Sequence, residues 1–231
     1  MNICMIPVRK GSQRLNKKNY LQINGNAVYE MAIEKALSVN LFDKVVLNTD
    51  DPTLESVVTK YGIDFYLRES KLASSEATSE MVVLDFFKQY NCDRVFWLNT
   101  ISPLQTLTDI KNFFNKTIDE NASSSVAVTK HQVHATFKGQ PINYDWDQNF
   151  AKTQDMTPVL SFNYSMMSWH KNEIEMLASG QLFNDSTKMI ESSIWSSILL
   201  KSQEDFDLIE KLADIVPHKF ITTKLPHLNE K

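Results

Sequence analysis

Residues 2–8, 44–47, 63–67 and 94–98 are short apolar runs, separated by longer stretches whose apolar residues recur at helical spacing. This alternation is the strongest constraint on the fold. Strands linked by helices must run parallel, and a parallel sheet needs cover on both faces, so the expected architecture is an α/β layered sandwich. Residues 27–39 carry Val28, Met31, Ala32 and Ala36 on one helical face. Asp51 is placed to cap a helix that has Pro52 first, Leu54, Val57, Val58 and Tyr61 inward, and Gly62 at its end. Residues 79–90 read as helix through Val82, Val83, Phe86 and Phe87. Residues 108–121 do so through Ile110, Phe113, Phe114 and Ile118. A strand at 125–129 precedes an irregular stretch that reads as an extended arm over 131–160. The sheet resumes at 161–169. Ser202 and Asp205 then form a capping box ahead of a helix that turns Phe206, Ile209 and Leu212 inward. The implied division is one ligand-binding α/β domain, 1–130 and 161–231, with 131–160 inserted as an arm.

Directly after the first apolar run come Arg9, Lys10, Arg14, Lys17 and Lys18, interleaved with Gly11 and Ser12. A loop leaving a buried parallel strand emerges at the carboxyl edge of the sheet, where open α/β folds bind ligands. Gly11 lets backbone approach an anion, and Ser12 adds a hydroxyl. The loop therefore reads as a phosphate grip. It is not a Walker A loop, because no Gly-Lys-Ser/Thr closes it, and it lacks Gly-x-Gly-x-x-Gly. P-loop kinases and nicotinamide oxidoreductases are set aside on that ground.

The 231 residues are 42% hydrophobic and carry a formal charge of −4, with the basic residues focused in one loop instead of spread over a face. That distribution favours a small phosphorylated ligand over nucleic acid. No apolar run approaches a membrane span and no signal-peptide core is present, so a cytoplasmic protein without membrane contact is expected. Cys4 and Cys92 lack metal spacing and read as reduced, buried residues. His131 and His134 stand three apart with no nearby cysteine or third ligand, which argues against zinc.

The order Ile6-Pro7-x-Arg9-x-Gly11-Ser12-x-Arg14 and Lys18-Asn19, then Gly25, Leu41-Phe42-Asp43, Asn48-Thr49-Asp50-Asp51, Leu67-Arg68, Leu72-Ala73, Ser102-Pro103-Leu104, and Gln154-Asp155 with Pro158, resembles the acylneuraminate cytidylyltransferase family. Members include CMP-sialic acid synthetases and relatives acting on other 2-keto-3-deoxy sugar acids. The resemblance implies a Rossmann-like three-layer sandwich of nucleotidyltransferase type, with a mixed, mainly parallel sheet and a small dimerisation arm. The implied reaction transfers CMP from CTP to a nonulosonic acid and releases pyrophosphate, in the service of a surface glycan. It also implies a homodimer whose arm is anchored by Phe137, Trp146 and Phe150.

Carried over residue by residue, Arg9 and the Lys10, Gly11 and Ser12 backbone would hold the triphosphate, with Arg14 and Lys18 adding charge. Asn19 would reach ribose or phosphate, and Arg68 and Ser79 would meet the cytosine. Asn99, Ser102, Gln105, Gln154 and Asn163 would face the sugar acid. The departures concern chemistry. Magnesium is expected for the family, held by an Asp-x-Asp before the last helix, but that motif falls here on Leu199-Leu200-Lys201, leaving no metal ligand. Lys201 is a candidate catalytic cation in its stead, beside Arg9 and Lys18. Asn99 replaces a glutamine, Gln105 an arginine, and Tyr164 a glycine next to Asn163. The loss of the metal motif at Leu199-Leu200-Lys201 supports a second reading, a non-catalytic relative that binds nucleotide or sugar and acts through a partner.

Overall fold

The computed structural model describes residues 1–12, 15–148 and 151–215. Arg14 and Phe150 lie outside them. In chain order the main elements are β1 (Asn2–Val8), α1 (Val28–Val39), β2 (Lys44–Thr49), α2 (Glu55–Tyr61), β3 (Asp64–Leu67), α3 (Ser79–Gln89), β4 (Arg94–Leu98), α4 (Leu107–Asp119), β5 (Ser124–His131), β6 (Val159–His170), α5 (Ile174–Ala178), β7 (Lys188–Glu191), α6 (Ile194–Ser197) and α7 (Gln203–Ala213). The 7-stranded sheet has the order β7-β5-β6-β4-β1-β2-β3. Only β6 runs antiparallel to its neighbours, β4 and β5; the other pairs are parallel.

The side-chain period of a strand explains the two layers of core. Cys4, Ile6 and Val8 of β1 face one cluster with Ile33 and Ala36 of α1, Val58 of α2 and Phe113 of α4. Ile3 and Met5 face the opposite cluster with Val83 and Phe86 of α3, Leu177 of α5 and Trp169 of β6. A smaller cluster joins Ile209 of α7 to Met31 and Leu104. Cys4 and Cys92 are free and buried, and burial pushes both thiols up, Cys92 to about 11.

The expected caps are present. Asp51 accepts from the Thr53 N–H with Pro52 in the first turn, Gly62 ends α2 at φ 64°, and Ser202 and Asp205 form their capping box. One inward residue was misplaced: Ile118 is 38% exposed, because it falls in the last turn of α4, beyond the stripe buried through Ile110 and Phe113. The sheet also gains β7, paired parallel to β5, which the sequence pattern did not announce. Between β5 and β6 the arm holds a two-strand hairpin, Thr136–Phe137 with Gln140–Pro141, and a single turn at Thr153–Asp155. In β6 the register shifts between Phe162 and Met167, and Tyr164 sits inside that irregularity at φ 54°, a left-handed conformation suited to glycine.

Phe86 is fully buried, stacks on Tyr90 at 4.6 Å and meets the edge of Tyr66. Phe86→Ala is expected to lower unfolding free energy by about 3–5 kcal/mol, measured by urea denaturation with an unchanged denaturant slope.

Candidate active site

Strand order reverses at β1. The chain runs outward through β2 and β3, then returns to lay β4 on the other side of β1. Such a switch point leaves a crevice at the carboxyl ends of the two central strands. A cleft of about 220 Å³ opens there. Its walls are Pro7 of β1, Arg9, Ser12 and Lys18 of the basic loop that follows, and Arg68 after β3. Ser74, Ala77 and Thr78 approach on the segment that leads into α3 at Ser79, and Trp97 of β4 closes it with Asn99, Thr100 and Ile101 just beyond that strand.

Asn19 ties the two walls together. A short turn, Lys18–Tyr20, buries it, so that its amide donates to the Arg9 carbonyl (3.1 Å) while its oxygen accepts from the Thr100 hydroxyl (2.7 Å). Arg68 is the most constrained of the cations. It is 5% exposed, with its backbone N–H on the Thr49 carbonyl at 2.8 Å and its guanidinium 3.4 Å from the Asn48 carbonyl and side-chain oxygen, and 3.9 Å from Asp50. Burial pushes its pKa down, neighbouring Arg9 pushes the same way, and Asp50 opposes both. The Arg68 Nε and the Trp97 indole N–H are both buried without a partner. A desolvated guanidinium in a cleft that the first turn of α3 also lines is a strong receptor for an anion or an acceptor-rich ring.

The basic loop divides into two groups. Arg9 and Lys18 face the cleft, whereas Lys10 and Lys17 line a neighbouring cavity with Tyr20, Asp51 and Thr53. The Lys10 backbone is also committed, its N–H donating to Asp50 at 2.9 Å, so Lys10 does not offer that amide to a phosphate. Gly11 has no positive φ, and a Cβ added to it meets no protein atom within 4 Å. The fold therefore gives no reason for that glycine.

The residues expected at the sugar acid are scattered. Asn99 lines the cleft, its N–H held by the Ser165 carbonyl. Ser102 and Gln105 do not line it: both are buried behind its wall, and the Ser102 hydroxyl donates to the Ser196 carbonyl at 2.8 Å. Asn163 is locked inside the sheet, its amide donating to Thr129 and Ser192 and its oxygen accepting from the Ser165 N–H. Gln154 is exposed on the arm. Lys201 is exposed and outside the cleft lining, but the preceding Leu200 N–H donates to the Ile101 carbonyl at 2.7 Å, which holds the segment against the cleft wall. Trp97 escaped sequence reading because RVFWL looks uniformly apolar. Its position one residue before the end of a central strand was the available signal.

A sequence profile for the family described as Cytidylyltransferase matches residues 3–218. The chain belongs to the cytidylyltransferase family. It is 29% identical over 168 residues to the pseudaminic acid cytidylyltransferase of Campylobacter jejuni, spanning 68% of this chain and 72% of that one. It is 26% identical over 213 residues to the N-acylneuraminate cytidylyltransferase of Streptococcus agalactiae, spanning 88% of this chain and 51% of that one. Among solved structures, a CMP:2-keto-3-deoxy-manno-octonic acid synthetase in complex with CTP has a TM-score of 0.72 at 14% identity, covering 93% of this cytidylyltransferase and 98% of that chain. The last likeness shows the fold: an α/β sandwich on a mixed, mainly parallel sheet.

The cleft does not fit a resident magnesium ion, which takes oxygen ligands and usually one or two carboxylates. No carboxylate is among the lining residues, and no cluster of three metal-binding side chains occurs among the described residues. The nearby carboxylates have other duties. Asp50 accepts from the Lys10 N–H and pairs with Arg68. Asp51 accepts from Thr53 and Tyr20; burial would raise its pKa, but those hydrogen bonds and Lys10 outweigh it and hold the acid below its ordinary value. Asp205 accepts from the N–H groups of Lys201 and Ser202.

Behind the cleft, Lys35 of α1 is 2% exposed and donates to the carbonyls of Ser102 and Pro103, bracing the turn that follows Thr100 and Ile101. Burial pushes its pKa down to about 7. In the unfolded chain a lysine titrates near 10.4, so between roughly pH 7 and 10 the unfolded state binds a proton that the folded state lacks. Stability from this group accordingly rises with pH across that window and is lowest below it. Denaturation of the wild type and Lys35→Met across that range is expected to show the wild type gaining on the variant as pH rises; a constant gap would contradict the buried titration.

Proposed function

We propose that the protein transfers CMP from CTP to a nonulosonic acid of the pseudaminic or sialic type, releasing pyrophosphate. The observation that carries this reading is a switch-point cleft lined by Arg9, Lys18 and Arg68 with no acid among the lining residues, in a chain of the cytidylyltransferase family. Arg9, Lys18 and the Gly11 and Ser12 backbone receive the triphosphate. Arg68 and Ser79, the latter at the start of α3, receive the cytosine, whose carbonyl oxygen and ring nitrogen accept from these donors. The anomeric hydroxyl of the sugar acid attacks the α-phosphorus and gives up its proton to solvent water, the bond to the bridging oxygen of pyrophosphate breaks, and the charge moving onto that leaving group is met by Arg9 and Lys18. No lining residue is placed as a general base, so rate enhancement rests on positioning and fixed charge. Lys201, at the rim, supplements that charge.

Asn99 with the Ile101 wall offers the acid its polar contact, and Gln154 reaches it only from the arm. The arm presents Phe137 (66% exposed), Ile142 (57%) and Trp146 (62%), side chains of the kind that anchor subunit interfaces. We assign residues 131–160 to contact with a second copy of the chain and the protein to the cytoplasm; no helix among the described residues is long and apolar enough to cross a membrane.

Pyrophosphate release from CTP, assayed with a panel of nonulosonic and octulosonic acids, tests the reaction. Turnover with one of them is expected. Binding of CTP without turnover on any acid would favour the non-catalytic relative. Arg68→Lys is expected to weaken CTP binding at least about tenfold, since a point charge cannot reproduce the fork. Gly11→Ala is expected to leave Tm unchanged and weaken CTP binding; equal affinity would remove Gly11 from the phosphate grip.

A further inference from the structure

We propose that this cleft binds its nucleotide as the free triphosphate anion, neutralised by side chains alone, and that divalent cation opposes binding. The inference rests on the nucleotide reading given above. Three fixed cations, Arg9, Lys18 and Arg68, enclose the cleft, and none of the residues lining it is acidic. Two of these cations already crowd one another, for Arg9 lowers the pKa of the buried Arg68 guanidinium. Asp50 is the only carboxylate pairing with Arg68 among the described residues, at 3.9 Å, and it is simultaneously held by the Lys10 N–H. Arg9 and Arg68 thus set like charges side by side at the cleft, and an anion between them relieves that repulsion.

A magnesium ion arriving on the triphosphate acts against each of these features. It coordinates the same phosphate oxygens that the Arg9 and Lys18 donors need, and it adds positive charge to a low-dielectric space that already holds three cations. No lining carboxylate offsets that charge or accepts the metal's bound waters. The segment nearest the Ile101 wall contributes Leu199 and Leu200 and then the cation Lys201, and its closest acid, Asp205, caps the N-terminus of α7. Side-chain donors thus take the place that a metal holds in sites built with acids. The chemistry selected is a metal-free polyphosphate, with guanidinium and ammonium groups as its only counterions.

Calorimetric titration of the full chain with CTP, in EDTA and again in excess magnesium chloride, reads this directly. Losing one charge-assisted hydrogen bond to a phosphate oxygen corresponds to about a tenfold loss in affinity, so Kd is expected to rise about tenfold in magnesium. Lys18→Gln is expected to weaken binding in EDTA by about the same factor and to shrink the difference between the two buffers. Binding that tightens with magnesium, or that requires it, overturns the inference while leaving the nucleotide reading intact. No binding in either buffer overturns the nucleotide reading and the inference with it.

Discussion

Strand β1 is buried on both faces and paired on both edges, parallel to β2 on one side and β4 on the other. Everything at the cleft follows from that position. A strand so enclosed cannot be left along its face, so the chain emerges at the carboxyl end and carries Arg9 to Ser12 with it. The return of the chain to β4 brings Trp97, Asn99 and Thr100 to the same edge. Asn19 then fixes the separation of the two walls by bonding to both, Arg9 on one side and Thr100 on the other. Lys35 supports the β4 wall from behind through the carbonyls of Ser102 and Pro103.

On that scaffold the electrostatics are asymmetric. The chain is acidic overall, at −4, yet the cleft is lined by cations without acids. The carboxylates around it are already engaged: Asp50 is shared between the Lys10 N–H and Arg68, Asp51 caps the turn after β2, and Asp205 caps α7. Arg68 shows the cost: it is desolvated, repelled by Arg9, and retains one buried nitrogen without a partner. Groups held in that condition are preorganised for a ligand, because no rearrangement is needed to present them.

Much of this was legible in the chain itself. The alternation of period-two and period-3.6 runs predicted the layered sheet, and Asp51-Pro52, Gly62 and Ser202-x-x-Asp205 marked helix ends at the places observed. The ordered motifs pointed to the family to which residues 3–218 belong. What escaped was long-range. Burial of Ser102, Gln105 and Asn163 depends on which neighbours pack over them, and no local pattern distinguishes a polar residue locked behind a wall from one facing a ligand. The split of the basic loop, with Lys10 and Lys17 turned toward Asp51, is likewise decided by where β2 ends. Trp97 was hidden in an apolar run, and β7 by its distance in sequence from β5.

The central claim is that the cleft between β1 and β4 is the nucleotide site. Trp97 lines it, 8% exposed, with its indole N–H unpartnered, whereas Trp146 is exposed on the arm and the Trp169 indole donates to the Leu182 carbonyl. Indole proton–nitrogen correlation spectra, assigned with single Trp→Phe variants and followed during addition of CTP, separate these reporters. The account predicts a saturable displacement of the Trp97 resonance while those of Trp146 and Trp169 stay in place. A stationary Trp97 resonance under saturating CTP, or displacement confined to Trp146, would contradict it.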